Sequence, residues 1–214
     1  RVLVTFSVSP TDGRAADRSL LDLFSKSVNW VERTTDYDEN EADVHRTAWY
    51  VAPGWEIPYE YDEGDAQPYN LMPDWMVELR DRMMATVGKD LRERDPELGP
   101  PNSCNWNWYR TADANIGAHA DDEYLFDGDN REMAVVGFSV GAEREFQILN
   151  REKEELRSLI LPKMSYCTME GWFQRDFLHS VPPAPPTGEG KEEEHRINVT
   201  WRWIVNKEKP AGRE

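Results

Sequence analysis

Arg196-Ile197-Asn198-Val199-Thr200-Trp201-Arg202-Trp203 alternates strictly between polar and bulky apolar side chains. Successive side chains of an extended strand point to opposite faces, so Arg196, Asn198, Thr200 and Arg202 share one face and Ile197, Val199, Trp201 and Trp203 the other. A polar face of this kind commonly meets solvent. The bulky apolar set, however, is a convincing core face only if another layer covers it, and Arg–carboxylate recognition offers the polar face a different use.

Upstream, from Cys104 onward, the chain reads as short β-like runs: 104–109, 133–140, 144–150, 156–161, 165–169, 177–181 and 196–205. Many short strands imply a sandwich or a barrel. The first hundred residues differ. Leu20, Leu21, Phe24, Val28 and Val31 recur with a helical period, which predicts an amphipathic helix over 19–31 with Ser19 as N-cap. A second helix is predicted from Pro73 to Lys89, with Pro73 at an early position and Asp74 at the positive helix end. Between them, 33–70 is loop-rich, acidic at first (Asp36, Asp38, Glu39, Glu41, Asp43) and then aromatic (Trp49, Tyr50, Trp55, Tyr59, Tyr61). It reads either as a solvated loop beside a hairpin that packs aromatics on the core, or as a lid. The proline, glycine and charge of 182–194 indicate an exposed loop.

The length of 214 residues suits one compact domain. Its expected parts are 1–103, helices and lid packed on the core; 104–206, the β-core; and 207–214, a tail. No long apolar run is present, so no membrane-spanning helix is expected. Two cysteines, Cys104 and Cys167, are too few for a disulfide framework, which points to a reducing, intracellular compartment, nucleus or cytoplasm. The net charge of −16 opposes generic association with a phosphate backbone, although a local basic patch acts within a Debye length.

His119-Ala120-Asp121 places two metal ligands at i and i+2, on one face if the segment is extended. One more imidazole completes a facial triad, and His179, in the apolar setting Phe177-Leu178-His179-Ser180-Val181, is the candidate. Two histidines and a carboxylate on one face of an octahedral Fe(II) leave the other positions for oxygen and a chelating keto acid. A lone His-x-Asp is common by chance, and a buried histidine is usually a core residue.

Taken in order, Asn107-Trp108-Tyr109, Gly117-Ala118-His119-Ala120-Asp121-Asp122-Glu123, Phe138-Ser139-Val140-Gly141-Ala142, His179-Ser180-Val181-Pro182 and Arg196 to Arg202 resemble the signature of AlkB-like Fe(II)- and 2-oxoglutarate-dependent dioxygenases. The resemblance covers 104–205 and is nearest the eukaryotic branch that repairs alkylated DNA. It implies an α+β fold: a double-stranded β-helix (jelly-roll) core with flanking N-terminal helices and a substrate lid. It implies Fe(II) on His119, Asp121 and His179. It implies 2-oxoglutarate contacts from Asn107, Tyr109, Arg196, Asn198, Thr200 and Arg202, with Arg196 on the distal carboxylate and Arg202 nearer the iron. Asp122 would accept a hydrogen bond from a base's exocyclic amine. Tyr61 or Tyr59 would stack on the flipped base, and Arg46 is one of the few basic residues near the lid.

The activity so implied is oxidative demethylation of N-alkylated bases in nucleic acid, preferably single-stranded or unpaired, with release of formaldehyde, succinate and CO2 by a monomer. The acidic composition favours an alternative, a hydroxylase of a small molecule or protein. A non-catalytic module on the same core is the third reading.

Overall fold

The computed structural model describes residues 2–6, 13–32, 46–60, 66–185 and 195–208. Its elements in chain order are β1 (Val2–Phe6), α1 (Gly13–Ser27), β2 (Val31–Glu32), β3 (Arg46–Val51), β4 (Tyr59–Glu60), β5 (Ala66–Gln67), β6 (Tyr69–Leu71) and α2 (Asp74–Arg92). There follow β7 (Ser103–Tyr109), β8 (Ile116–His119), β9 (Met133–Gly141), β10 (Arg144–Leu149), β11 (Glu155–Leu161), β12 (Ser165–Gly171), α3 (Phe173–Asp176), β13 (Leu178–Val181) and β14 (Arg196–Arg202).

The larger sheet runs β1-β12-β9-β14-β7-β3-β2, with β6 also pairing β3, and the smaller runs β11-β10-β13-β8. Together they form the jelly roll that the family resemblance implies, one form of the sandwich or barrel expected from the short strands. Residues directly opposed in an antiparallel ladder share a face, so the registers propagate the alternation of β14 across its neighbours. Arg196, Asn198, Thr200 and Arg202 oppose Tyr109, Asn107, Asn105 and Ser103 on β7. On the other side, Arg196 and Asn198 oppose Gly141 and Ser139 on β9. This face turns towards the smaller sheet, and its apolar members Val135, Met133, Cys167 and Met169 pack with Phe146, Leu161 and Val181. The opposite face carries Ile197, Val199, Trp201, Trp106, Val136 and Phe138. It is covered by Phe24 and Val28 at α1 and by Met76, Met83, Val87 and Leu91 of α2. Both faces of β14 are therefore buried, and the covering layer that its apolar face requires is supplied by the two helices.

The first helix begins earlier than its apolar spacing predicts. It spans Gly13–Ser27, so Ser19 is inside it rather than capping it, and Val31 belongs to β2. Ala15 and Ala16 favour helix, and Ala16 extends the core-facing stripe by a side chain too small to mark it in the sequence. Asp17 anchors the added turn, its buried carboxylate accepting the Gly141 N–H at 2.8 Å. Gly141 itself has φ +83°, and a Cβ there would meet the His195 carbonyl at 2.0 Å, so glycine is required. The second helix starts as predicted, with extended Pro73 as N-cap and Asp74 in its first turn.

The expected division at 103/104 does not divide the sheet, because β1, β2, β3 and β6 all belong to it. Within 33–70, Arg46–Val51 is a strand hydrogen-bonded to β7, and Trp49, Tyr50 and Tyr59 are buried, as in the aromatic-packing alternative. The acidic half and Tyr61 lie outside the described residues. Among the described residues no helix is long and apolar enough to cross a membrane.

Trp106 tests the helical layer. It is fully buried, edge-on to Phe24 at 4.9 Å and to Trp75 at 5.8 Å. Trp106→Ala is expected to cost about 3–5 kcal/mol in a urea titration, whereas Leu156→Ala, on the exposed face of β11, should stay within about 0.5 kcal/mol of the parent. A small loss at Trp106 would mean that the helices do not cover this face.

Candidate active site

Two strands and the segment that follows one of them bring the predicted metal ligands together. Antiparallel pairing sets His179 of β13 directly opposite His119 of β8, with ring centroids 4.2 Å apart. Asp121 lies past the end of β8 rather than on it, which corrects the expectation of one extended strand through both ligands. Even so, the candidate ligand atoms of His119, Asp121 and His179 all lie within 4.8 Å of one another.

The donor chemistry fits a divalent cation. The Gly117 carbonyl is 2.9 Å from His119 Nδ1, so an Nδ1–H tautomer donates to it and leaves Nε2 as a lone-pair donor. Burial, helped by neighbouring His119, pushes His179 down to about 3 against the pull of Asp121, so this imidazole is neutral near pH 7. Asp121 is 1% exposed. Burial opposes its charge, but Arg202, His179 and His119 outweigh that and hold its pKa below the usual carboxylate value. With its proton on Nδ1, His179 turns an Nε2 lone pair towards Asp121 Oδ2 at 3.8 Å, an arrangement that a metal ion between them would satisfy.

The arginines define the rest of the cavity, about 510 Å³ in volume. Arg202 forms a buried ion pair with Asp121, and its Nη1 donates to Tyr59 Oη at 2.9 Å. At the other end Arg196 is 2% exposed, with Nη2 donating to Ser139 Oγ at 3.0 Å. Nε and Nη1 of Arg196 find no acceptor among the described residues, nor does any carboxylate there pair with it. Burial makes its charge costly and Tyr109 only partly relieves this. A buried guanidinium facing a cavity without a carboxylate fits the distal group of a small diacid. Asn107, Tyr109, Asn198 and Thr200 line the same cavity, so all six residues expected to hold 2-oxoglutarate come together.

The expected substrate residues fare differently. Asp122 lines the cavity, but its Oδ2 already pairs with Arg151 at 3.2 Å. Tyr59 also lines it, yet is 1% exposed and packed against Trp49 and Phe126, with centroids 4.8 and 6.2 Å away. Its hydroxyl donates to Glu123. Tyr59 is therefore a buried hydrogen-bonding side chain rather than a platform for a base. Arg46 opposes Trp108 on β7, which puts it on the helical face of the sheet, away from the cavity, with its guanidinium 5.7 Å from the Trp108 ring. Tyr61 lies outside the described residues.

Glu123, Arg151, Gln174 and Ser139 were not among the predicted site residues. Glu123 and Ser139 stand inside the quoted motifs, whereas Arg151 and Gln174 sit in a turn and a one-turn helix that carry no periodicity. Burial raises the Glu123 pKa to about 7, Arg202 lowering it and Asp121 raising it further.

A pH prediction follows for the metal-free protein. The fold favours neutral Glu123, and the unfolded chain ionises it near 4.5, so the parent loses stability relative to Glu123→Gln as pH rises from 4.5 to about 7. Denaturant titrations of both proteins across that range check the sign. A stability difference independent of pH would contradict it.

The sequence profile of the 2OG-Fe(II) oxygenase superfamily matches residues 9–202. The DNA oxidative demethylase ALKBH2 of Arabidopsis thaliana is 32% identical over 127 residues, a match covering 49% of this chain and 38% of that protein. The chain therefore spans well under half the length of this relative. A solved structure described as "The structure of OsALKBH1" superposes with a TM-score of 0.59 at 20% identity, covering 94% of this chain and 97% of the other, which is a likeness of fold. The profile match over nearly the whole chain, with the His119, Asp121 and His179 cluster and the arginine strand in one cavity, makes this chain a member of the 2OG-Fe(II) oxygenase superfamily.

Proposed function

We propose that the chain is a 2-oxoglutarate-dependent dioxygenase that removes an N-alkyl group from a base in nucleic acid. The observation that carries the reading is a single cavity with a histidine–aspartate–histidine cluster at one end and a buried, carboxylate-free arginine at the other. Fe(II) bound in such a site supplies oxidation of a C–H bond by O2, coupled to decarboxylation of 2-oxoglutarate to succinate.

The protein's own residues supply geometry. Arg196, with Ser139 and Tyr109 beside it, orients the distal carboxylate of the co-substrate, and Asn107 with Asn198 lines its path. Phe146, Leu161 and Val181 form apolar walls that limit water near the metal. For an N-methyl base, the methyl C–H becomes C–OH while O2 and 2-oxoglutarate yield CO2 and succinate. The hydroxymethyl group then leaves as formaldehyde and the nitrogen regains a proton. Asp122, at the cavity beside Asp121, is the candidate acceptor for a base amine, in which case the substrate displaces Arg151 from it.

The nucleic-acid assignment is supported by the relative described as a DNA oxidative demethylase and by Asp122 at the cavity as a candidate acceptor for a base amine. The net charge of −16 favours the alternative, a hydroxylase of a small molecule or protein.

Two experiments test these readings. Arg196→Lys replaces a bidentate fork with a point charge, so the 2-oxoglutarate concentration needed for half-maximal turnover should rise at least about tenfold, the loss of roughly 1.4 kcal/mol. An unchanged titration would move the anchor to Arg202. Methylated oligonucleotides and free methylated nucleosides, screened for formaldehyde and succinate release, test the substrate class. Turnover should favour single strands, with a salt dependence much shallower than the roughly −0.7 log units per neutralised phosphate would give for an extended contact track. A steep salt dependence would restore a duplex-repair reading, and absence of oligonucleotide turnover at any salt would favour the hydroxylase.

A further inference from the structure

The ladder that sets His119 against His179 stops before the carboxylate. Because β8 ends at His119, no strand pairing holds Asp121. Its backbone N–H instead donates to Gln174 Oε1 at 2.9 Å, across 53 positions of sequence. Gln174 belongs to α3, a single turn between β12 and β13, and is 1% exposed. Its Nε2 faces only the soft acceptor Met169 Sδ, at 3.5 Å. One isolated turn is intrinsically unstable, so something else must hold it.

Arg151 does so from the loop between β10 and β11. Its Nε donates to the Arg175 carbonyl at 2.8 Å, Nη2 donates to the Gln174 carbonyl, and Nη1 and Nη2 each reach Asp122 Oδ2 at 3.2 Å. The α3 turn is thus tied to residue 121 by one side chain and to residue 122 by another, and neither of these side chains belongs to the ligand triad.

We infer that Gln174 is a positioning residue for the ligand carboxylate of Asp121, and that Arg151 fixes the turn from which Gln174 acts. The inference rests on the reading of His119, Asp121 and His179 as the metal site, and it concerns how tightly that site binds a metal. A ligand set off the ladder is held only as well as its supports, and loss of an outer partner of this kind commonly weakens metal binding about 10–100-fold. Removing the acceptor also leaves the Asp121 N–H buried without a partner, which biases the loop against the liganding conformation.

The test is Co(II) binding to the metal-free full chain, followed by visible absorption, with thermal unfolding of the metal-free protein measured alongside. Gln174→Met keeps the side-chain volume beside Met169 and removes the acceptor, together with the weak Nε2 contact to Met169 Sδ. It should bind Co(II) at least about tenfold more weakly, while its metal-free melting temperature falls only by the few degrees that one unpaired buried N–H costs. Arg151→Met should weaken Co(II) in the same direction. Since both act through one turn, the double variant should be no weaker than Gln174→Met alone.

Parent-like Co(II) affinity in Gln174→Met overturns the assignment. If that variant does not fold, Arg151→Met, at a partly exposed position, carries the test, and parent-like affinity there overturns it too. Losses that add in full in the double variant overturn the link from Arg151 to Gln174. No Co(II) binding by the parent, or undiminished binding by His179→Ala, marks instead a failure of the metal-site reading itself.

Discussion

Arg202 and Asp121 meet across the gap between the two sheets, and neither charge is tenable there alone. Arg202 ends β14 of the larger sheet, Asp121 follows β8 of the smaller, and they are 4% and 1% exposed. Removing one partner of a buried pair commonly costs about 3–5 kcal/mol, because the other charge is left without water. The ion pair therefore constrains how the sheets approach at the metal end of the cavity. Its influence spreads through hydrogen bonds. Arg202 also donates to Tyr59, Tyr59 donates to Glu123, and the Tyr59 ring packs in one aromatic cluster with Trp49 and Phe126. A ligand carboxylate, a loop and an early β-strand are thus linked by one chain of charge and hydroxyl.

The polarity of the cavity runs against that of the molecule. The chain carries a net charge of −16, yet the end of the cavity away from the His119, Asp121 and His179 cluster is lined by buried Arg196. Arg196 lies 4.8 Å from the Tyr109 ring and Arg144 lies 5.3 Å from the same ring. Arg144 donates to the carbonyls of Ala114 and Pro182, which orient its charge without cancelling it. Charges exposed to salt water are screened within about 10 Å, whereas buried ones are screened far less. Overall acidity consequently opposes the approach of a large polyanion, while the buried arginines present positive charge inside. The two scales explain how an acidic protein presents a site suited to a dicarboxylate.

Much of this was legible in the sequence where the signal is local. The alternation of β14 is set by strand geometry alone, and it placed four polar side chains on one face that the fold turns into the cavity. The His-x-Asp pair and the lone histidine in an apolar run were readable for the same reason, since each needs only its immediate neighbours to be recognised. β3 was not readable as an interior strand. Five of its six residues are buried, on both faces, so no polar period marks it. The start of α1 was hidden because its first turns add alanines and a buried aspartate rather than large apolar side chains.

Tertiary structure decided the rest, because it depends on which strands become neighbours. Arg46 and Tyr59 both looked available from the sequence, being polar or aromatic residues near a predicted lid. Register with β7 put Arg46 on the helical face, and packing against Trp49 and Phe126 buried Tyr59. Gln174 meets Asp121, and Arg202 meets Tyr59 across 143 positions, only because the jelly roll folds distant segments against one another. The sequence by itself determined the ligand types and the faces they occupy within each strand, since a period of two is a property of the local backbone. Only the tertiary structure decided what supports those ligands, because a hydrogen bond between a loop and a distant one-turn helix leaves no period in either segment.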